Sequence, residues 1–212
     1  MIRLISKTQS AVEDIPNDIK ELIAYVARVS NPMSQAAKLK TDKLIKYLEN
    51  HKHWSPFDMA DLTYEIETTR DIARQMLRHL SFKFQEFSQR YADPHELGWS
   101  FREARLQDTK NRQNSIEIDD PVLQKEWIQQ QKRVMDAASS AYRWAIGKDI
   151  AMEVARAVLP EGLINSRMYM KGSVRSWIHY LQVRQDPTTQ KEHRDVAGAI
   201  SKEFAKEFDL TE

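Results

Sequence analysis

One polar stretch, between positions 74 and 91, contains most of the side chains that could bind or transform a ligand. It combines guanidinium groups, an imidazole, an amide, a hydroxyl and a carboxylate: Arg74, Gln75, Arg78, His79, Glu86, Ser88 and Arg90. Side chains four residues apart share one face of a helix, so Arg74 and Arg78 form a polar face if this part is helical. Arginine forks bind phosphate oxygens through paired, charge-assisted hydrogen bonds. The spacing indicates a phosphate site, although it suits a solvated helix face with weak ion pairs at least as well.

A second group of polar side chains lies on the helix predicted at 174–184. Its apolar residues recur at the spacing of a buried helix face: Val174, Trp177, Ile178 and Leu181. Arg175, His179 and Gln182 form the opposite face, which is available to a ligand. Arg184 lies on neither face, in the last turn, where the helix dipole alone favours a cation. From the residues alone, Arg184 is therefore a helix-end cation rather than a catalytic group.

The composition of the 212-residue chain excludes several kinds of site. Cysteine is absent, so a thiolate nucleophile, a disulfide and a thiolate metal site are all excluded. The 5 glycines form no phosphate-binding loop, which argues against Rossmann and P-loop sites. His51 and His53 lack further ligands at metal-site spacing, so no metal is expected. We interpret His193 as an ordinary polar histidine and Glu192 as a candidate to orient an arginine.

Charge and hydropathy also restrict the partners of the chain. Lys and Arg number 32 against 31 Asp and Glu, a balance that argues against a nucleic-acid partner. The first residues turn polar too soon for a signal peptide, and no apolar run is long enough to span a membrane. We therefore expect a soluble, cytoplasmic protein with neither nucleic acid nor membrane as a partner.

The periodicity of apolar residues outlines the elements that must position these side chains. Helical spacing predicts helices over residues 19–27 (starting at Pro16-Asn17-Asp18), 41–50, 71–80, 121–146, 174–184 and 188–207. Alternation predicts strands over residues 2–5, 62–66 and 164–170. The polar stretch 93–119 predicts no regular element, and Trp127 and Trp144 are expected in the core or at subunit contacts. The pattern indicates an α+β fold that is rich in helix.

The order of the polar residues is more specific than their types. The first stretch contains Arg78, His79, Glu86, Ser88, Arg90 and Tyr91, preceded by Arg74-Gln75. The other segments are His53-Trp-Ser55-Pro56-Phe57-Asp58, Ala155-Arg156-Ala-Val-Leu159-Pro160 and Arg175-Ser176-Trp-Ile-His179-Tyr-Leu-Gln-Val-Arg184. In this order, the four segments resemble the motifs of the flavin-dependent thymidylate synthases, with similarity over about residues 1–207. Leu80 departs from the pattern, since the family usually has an arginine at this place.

The resemblance implies a fold and an activity. The fold would be a single domain over residues 1–212, helix-rich α+β with a small antiparallel sheet. The activity would be methylation of dUMP to dTMP with FAD as cofactor and with methylenetetrahydrofolate and NADPH as further substrates. Since the chain has no thiol to attack uracil, FAD would do the chemistry while the protein positions the reactants. The family also implies a homotetramer with sites between subunits.

The resemblance further implies roles for individual residues. Arg184 would be the catalytic residue, holding the uracil edge and stabilising negative charge on the ring. The residues implied to bind dUMP are Gln75, Arg78, Glu86, Phe87, Ser88, Gln89, Arg90, Arg156 and Arg184. Those implied to bind FAD are Ser55, Arg78, His79, Leu80, Ser81, Glu86, Ser173, Val174, Arg175 and His179.

Two alternative functions stay open at this point. One is a flavin- or nucleotide-binding member of the same fold without synthase activity, which the departure at Leu80 suggests. The other is a non-enzymatic module that binds single-stranded nucleic acid through arginine and aromatic residues, which the near-zero net charge disfavours. Leu80 itself either lies where the family arginine contacts FAD or, at four-residue spacing from Ile72 and Met76, packs in the core.

Overall fold

The structure, a computed structural model, describes residues 1–11, 13, 15, 17–35 and 41–208. In chain order, its helices are α1 (Ile19–Ala27), α2 (Pro32–Gln35), α3 (Thr41–Asn50), α4 (Arg70–Met76), α5 (Pro121–Ile146), α6 (Met152–Ala155), α7 (Val174–Arg184) and α8 (Lys191–Glu207). Its strands are β1 (Ile2–Lys7), β2 (Asp61–Thr69), β3 (Lys83–Glu86), β4 (Arg105–Gln107), β5 (Ser115–Glu117) and β6 (Asn165–Ser173). Short 3₁₀ turns cover Ser55–Met59, Pro94–Leu97 and Arg156–Val158.

Four strands form an antiparallel sheet in the order β1-β2-β6-β3. The central strands β2 and β6 pair over their full length, from Asp61 opposite Ser173 to Thr69 opposite Asn165. α4 follows β2 directly and α7 follows β6 directly, so each central strand leads straight into a helix. β4 and β5 form a separate hairpin. The helix-rich α+β fold with a small antiparallel sheet is therefore confirmed.

The main hydrophobic core joins the sheet to the helices. Leu62, Tyr64 and Ile66 alternate along β2 and are all fully buried, as their spacing predicts. Trp177 of α7 packs edge-on against Tyr64, with ring centroids 5.0 Å apart. Its indole N–H donates a hydrogen bond of 3.1 Å to the carbonyl of Leu62. Because a buried tryptophan removes a large apolar area from water and satisfies its polar atom here, this contact fixes α7 on the sheet.

The helix predicted over residues 71–80 ends early, at Met76. The chain must turn back there because β3 pairs with β6. Phe82, which is 3% exposed, enters the core against Gly172, where an added Cβ atom would lie 2.5 Å from its ring. Leu80 lies in the turn before it and is 89% exposed. The interpretation of Leu80 as a core residue is therefore wrong, since tertiary pairing ends the helix before its apolar spacing does.

The other predicted boundaries move by a few residues. β1 extends to Lys7 and β6 to Ser173, because both pair with β2 along its length. α8 begins at Lys191 rather than at 188. α1 begins after Asp18, whose carboxylate accepts a hydrogen bond from a backbone N–H in the first turn. Pro16, the start expected for this helix, lies outside the described residues.

The polar stretch 93–119 contains the β4–β5 hairpin, which the sequence does not predict. The long helix α5 has the predicted bounds, Pro121–Ile146. Trp127 and Trp144 on it are 41% and 62% exposed, so their placement in the core is wrong and contact with another subunit stays a prediction. Among the described residues, no helix has the length and apolar character to cross a membrane.

Candidate active site

A cleft of about 550 Å³ lies beside the first turns of α7. It is lined by Lys52, Trp54, Asp58, Ser81, Arg175, Ser176, Ile178, His179 and Gln182. Ser173 caps the start of α7: its hydroxyl accepts from the backbone N–H of Ser176 at 3.2 Å and donates to Asp58 at 2.8 Å. Arg175 donates to the same carboxylate at 2.9 Å. The face of α7 that the sequence predicts to be open to a ligand therefore lines this cleft.

The cleft combines two cations with an aromatic ring. The ammonium of Lys52 lies 5.5 Å from the ring centroid of Trp54 in a cation–π contact. Arg175 is 51% exposed even though it is paired with Asp58. An ion pair this exposed contributes little, so the phosphate of a ligand can replace the carboxylate as partner of the guanidinium. The set suits a ligand with phosphate groups and a planar ring.

Arg184, in the last turn of α7, is held by an imidazole rather than by a carboxylate. Its Nε donates a hydrogen bond of 2.8 Å to Nε2 of His79. Nε2 is therefore unprotonated, and the ring proton lies on Nδ1. Burial lowers the pKa of His79 to about 4, and the charge of Arg184 adds to the effect. The neutral imidazole orients the guanidinium without neutralising its charge.

A chain of hydrogen bonds, buried at Tyr180 and His193 and half-buried from Gln75 to Glu192, joins α4, α7 and α8. The hydroxyl of Tyr180 lies 3.0 Å from Nε2 of His193, whose Nδ1 lies 3.2 Å from Oε1 of Gln75. Gln75 donates to Gln190 at 2.8 Å, and Gln190 donates to Glu192 at 2.8 Å. Tyr180 and His193 are fully buried. Burial raises the pKa of Tyr180 and lowers that of His193 to about 4, so both are uncharged at neutral pH.

The end of β3 and the turn after it form a third polar region. Glu86 accepts a hydrogen bond of 2.8 Å from the hydroxyl of Ser166 in β6. Arg90 pairs with Glu153 of α6 at 3.0 Å, and these side chains are 53% and 54% exposed. Arg156 follows directly after α6. This region has the cations for an anionic ligand, with partners that such a ligand can displace.

The residues predicted to bind FAD fall on the cleft only in part. Ser81, Arg175 and His179 line it, Ser55 lies in the adjoining turn, and Ser173 is bonded to the cleft residue Asp58. Arg78 and Leu80 lie in the exposed turn after α4, next to His79, which contacts Arg184. The side chain of Val174 is fully buried, so only its backbone can meet a ligand. Glu86 lies apart from the cleft, in the third region.

The residues predicted to bind dUMP fall into two groups within one chain. Gln75 and Arg184 belong to the neighbourhood of the buried histidines, whereas Glu86, Phe87, Ser88, Gln89, Arg90 and Arg156 belong to the third region. The backbone N–H of Phe87 is already used, donating to Arg167 at 2.8 Å. Nε2 of Gln89 is buried and has no partner among the described residues. Arg78, predicted for both ligands, is exposed and forms no ion pair with a described residue.

Sequence reasoning misses several residues of these sites. Lys52 and Trp54 line the cleft, and their signal is their place beside the Ser55 motif. His193, expected to be an ordinary polar histidine, is fully buried in the middle of the hydrogen-bonded chain. Its partners are 13 and 118 residues away, so no local pattern reveals it. Glu192 does orient an arginine, since it accepts a short hydrogen bond from Arg105 of β4.

Comparison with known proteins places this geometry in a family. Residues 10–208 match the family model described as thymidylate synthase complementing protein. The chain is 47% identical over 209 residues to the flavin-dependent thymidylate synthase of Synechocystis sp., which covers 98% of this chain and 95% of that protein. It is 46% identical over 206 residues to the probable flavin-dependent thymidylate synthase of Paramecium bursaria Chlorella virus 1, covering 97% and 94%.

A solved structure has the same fold. The UMP/dUMP methylase PolB from Streptomyces cacaoi, bound with 5-Br dUMP, superposes with a TM-score of 0.80 over 99% of this chain and 91% of that chain. At 22% identity, this similarity shows a shared fold and nothing further. The match to the family model and the two relatives at nearly half identity decide the assignment: the chain belongs to the family of the flavin-dependent thymidylate synthases.

Proposed function

We propose that this protein methylates dUMP to dTMP, with FAD as its cofactor, methylenetetrahydrofolate as the carbon donor and NADPH as the reductant. The observation that carries the proposal is the position of Arg184, at the end of the helix whose first turns line the cleft. Arg175, which lines the cleft for a cofactor, and Arg184, which offers a guanidinium to a uracil, thus lie at the two ends of one helix. The activity that the names of the relatives state supports the same conclusion.

The donor set of the cleft fits a dinucleotide cofactor. Lys52 and Arg175 offer cationic donors for a diphosphate, Ser81 and His179 add polar groups, and Trp54 adds an aromatic face. The further FAD contacts in this proposal are Ser55, Arg78, His79, Leu80, Glu86, Ser173 and Val174. The chemistry that FAD supplies when bound is hydride transfer and passage of the one-carbon unit to the uracil ring.

Arg184 activates the uracil in this proposal. Its Nε is used by His79, which leaves the two Nη groups to donate to the edge of the uracil ring. The permanent charge of the guanidinium stabilises negative charge that develops on N3 and O4. His79 must be neutral for this geometry, because a protonated imidazole cannot accept the Nε–H bond and would repel the guanidinium. The low pKa of His79 meets that requirement.

We further propose that the phosphate and sugar of dUMP are held between subunits of a homotetramer. The residues assigned to this task are Gln75, Arg78, Glu86, Phe87, Ser88, Gln89, Arg90 and Arg156. The exposed pair of Arg90 with Glu153 supports the assignment, since a phosphate can replace that carboxylate. Leu80 and Tyr91 are 89% and 83% exposed, and a second subunit would cover such apolar surface.

The decisive experiment combines spectroscopy with product analysis. The purified protein should show flavin absorbance, or acquire it with added FAD, and dUMP should perturb that absorbance. dTMP should form only when dUMP, methylenetetrahydrofolate and NADPH are all present. A yellow protein that oxidises NADPH without forming dTMP would favour the alternative of a family member without synthase activity. A protein that ignores FAD and binds single-stranded oligonucleotides would contradict the proposal altogether.

A further inference from the structure

The buried chain of hydrogen bonds continues to an ion-pair cluster at the protein surface. Glu192 accepts from Gln190 through Oε2 and from Arg105 through Oε1. Arg105 also pairs with Glu103 at 3.0 Å, and Lys191 at the start of α8 pairs with Glu103 at 2.6 Å. The β4–β5 hairpin is thereby held on α8, and an arginine of this hairpin lies at the end of the buried chain.

The charge of Arg105 sets the direction of the hydrogen bonds at this end. A guanidinium only donates, and the carboxylate of Glu192 only accepts. Burial raises the pKa of Glu192, but the hydrogen bonds from Arg105 and Gln190 lower it by more, so the group is ionised at neutral pH. Gln190 must therefore turn its N–H groups towards Glu192 and its Oε1 towards Gln75.

The direction of each remaining hydrogen bond, from Gln190 to Tyr180, follows from the one before it. Because Oε1 of Gln190 accepts, Gln75 donates through Nε2, and its own Oε1 faces His193. Nδ1 of His193 must then carry the ring proton, so that Nε2 accepts from the hydroxyl of Tyr180. The second N–H of Gln75 has no acceptor among the described residues. The orientation of the Gln75 amide is therefore determined by a carboxylate that it does not touch.

We infer that Glu192 is a positioning residue for the nucleotide: through Gln190 it fixes the amide of Gln75 so that the free N–H meets an oxygen atom of dUMP. The inference rests on the proposed function, in which Gln75 contacts dUMP. A neutral amide at position 192 can both donate and accept, so the whole chain can reverse. Gln75 would then present its carbonyl to the ligand oxygen, and the two acceptors would repel each other.

The burial of Tyr180 and His193 makes the hydrogen-bonded chain transmit such a change. These two side chains are fully buried, so water cannot replace a lost partner at their end. Tyr180, His193 and the Gln75 oxygen that faces His193 must therefore keep one donor opposite one acceptor, while Gln75, Gln190 and Glu192 are themselves half-buried. A reversal at Glu192 is consequently passed on as a flipped amide at Gln75 and a changed tautomer at His193.

The test compares Glu192→Gln with Glu103→Gln. Each substitution removes one carboxylate partner of Arg105 at nearly constant shape, but only Glu192 belongs to the buried chain. We expect E192Q to weaken dUMP binding to the flavin-loaded protein by about fivefold to tenfold, measured by calorimetry. E103Q should change it by less than about twofold, because Glu103 pairs with Arg105 and Lys191 at the surface but forms no hydrogen bond with Gln190 or Gln75. KM for dUMP should rise in E192Q more than kcat falls.

The tautomer of His193 gives a measurement that does not depend on dUMP. Long-range ¹H–¹⁵N correlation spectra of the 6 histidines distinguish a proton on Nδ1 from one on Nε2. We expect the Nδ1–H form of His193 in the wild-type protein and a mixture of both forms in E192Q. An unchanged Nδ1–H form in E192Q would contradict the coupling.

A second variant covers the case in which E192Q fails to fold. Gln190→Met keeps the length of a half-buried side chain but breaks the link to Gln75. It should weaken dUMP binding by the same factor as E192Q, and the double variant should add no further loss. Wild-type affinity in E192Q or Q190M, or equal losses in E192Q and E103Q, would overturn the inference and leave the proposed function intact. Failure of the wild-type protein to bind dUMP would overturn the proposed function, and the role of Gln75 with it.

Discussion

An arginine lies at each end of α7, and the two arginines have different kinds of hydrogen-bond partner. At the first turn, Arg175 pairs with Asp58, and the two side chains are 51% and 41% exposed. At the last turn, Arg184 donates to the neutral imidazole of His79, which packs against the fully buried Tyr180. The first arginine has a carboxylate partner that a ligand can displace. The second is oriented by its partner and keeps its full charge.

In the proposed function, this difference suits one helix to two kinds of ligand. A phosphate-bearing cofactor can exchange with Asp58 in the open cleft, because an exposed ion pair is worth little. A uracil ring needs a donor whose direction is fixed before binding, because preorganised charge stabilises a developing anion most effectively. In this proposal, the open end would adapt to its ligand, and the buried end is arranged before its ligand binds.

Breaking the buried end at Arg184 should have the largest effect. Arg184→Lys keeps a charge but loses the planar fork and the Nε–H donated to His79. We expect dTMP formation in single turnovers to fall by about 10²–10³, as for loss of one charge-stabilising donor. FAD binding and the melting temperature should be unchanged. Arg175→Lys, at the open end, is the matched control and should lose far less turnover. Near-normal turnover in R184K would mean that Arg184 is only a helix-end cation.

The buried end should also be sensitive to acid. Burial lowers the pKa of His193 from 6.5 to about 4. Between these pH values the unfolded chain binds a proton on His193 and the folded chain does not. The stability that depends on neutral His193 is complete above pH 6.5 and is lost as the pH falls to about 4. This loss amounts to about 3 kcal/mol, from the size of the shift.

Urea unfolding at several pH values between 7 and 4 measures this loss. His193→Gln cannot take up the proton, so its stability should fall less steeply with decreasing pH than that of the wild type. His51→Gln, on the protein surface, is the matched control and should keep the wild-type slope. Parallel slopes in all three proteins would contradict the prediction.

Adding a cation in the exposed turn after α4 should strengthen FAD binding. Leu80 is 89% exposed, so Leu80→Arg buries no charge. The resemblance implies that an arginine is usual at this place. We expect FAD to bind about tenfold to a hundredfold more tightly, from one added charge-assisted hydrogen bond. The melting temperature should not change. Val154 is another exposed apolar residue, so Val154→Arg is the matched control and should leave the FAD affinity unchanged. Equal FAD affinities of L80R and wild type would rule out a lost phosphate contact.

Removing the carboxylate of the open end should have the smallest effect. Asp58→Asn breaks the ion pair with Arg175, and the free energy of unfolding should change by less than about 1 kcal/mol. The change should become smaller still at high salt, because exposed charges are screened. Denaturant unfolding at low and high salt measures it. A loss of several kcal/mol would mean that the open end is as tightly organised as the buried one.

The elements with the strongest periodicity are those that the sequence predicts best. The alternation of Leu62, Tyr64 and Ile66 and the apolar face of α7 both lead to fully or largely buried side chains. The helix after β2 is predicted too long, because its apolar spacing continues to Leu80 while pairing of β3 with β6 requires a turn after Met76. The β4–β5 hairpin is missed because it carries few apolar residues and is held largely by ion pairs.

The candidate site divides in the same way. The motifs around Ser55 and Arg175 identify the cleft, since each motif is contiguous in sequence and both line it or adjoin it. The partners of Arg184 and Gln75 are not identified, because they come from segments about a hundred residues away.

The amino-acid sequence alone establishes the absence of a thiol, the amphipathic faces of the helices and the order of the motifs, because each is a property of residue type and spacing. The folded structure is needed to see that His79 and His193 are neutral, that Leu80 is exposed and that Glu192 is linked to Gln75 through Gln190. The physical reason is that the protonation state of a side chain, and the direction of its hydrogen bonds, depend on burial and on partners that folding brings from distant parts of the chain.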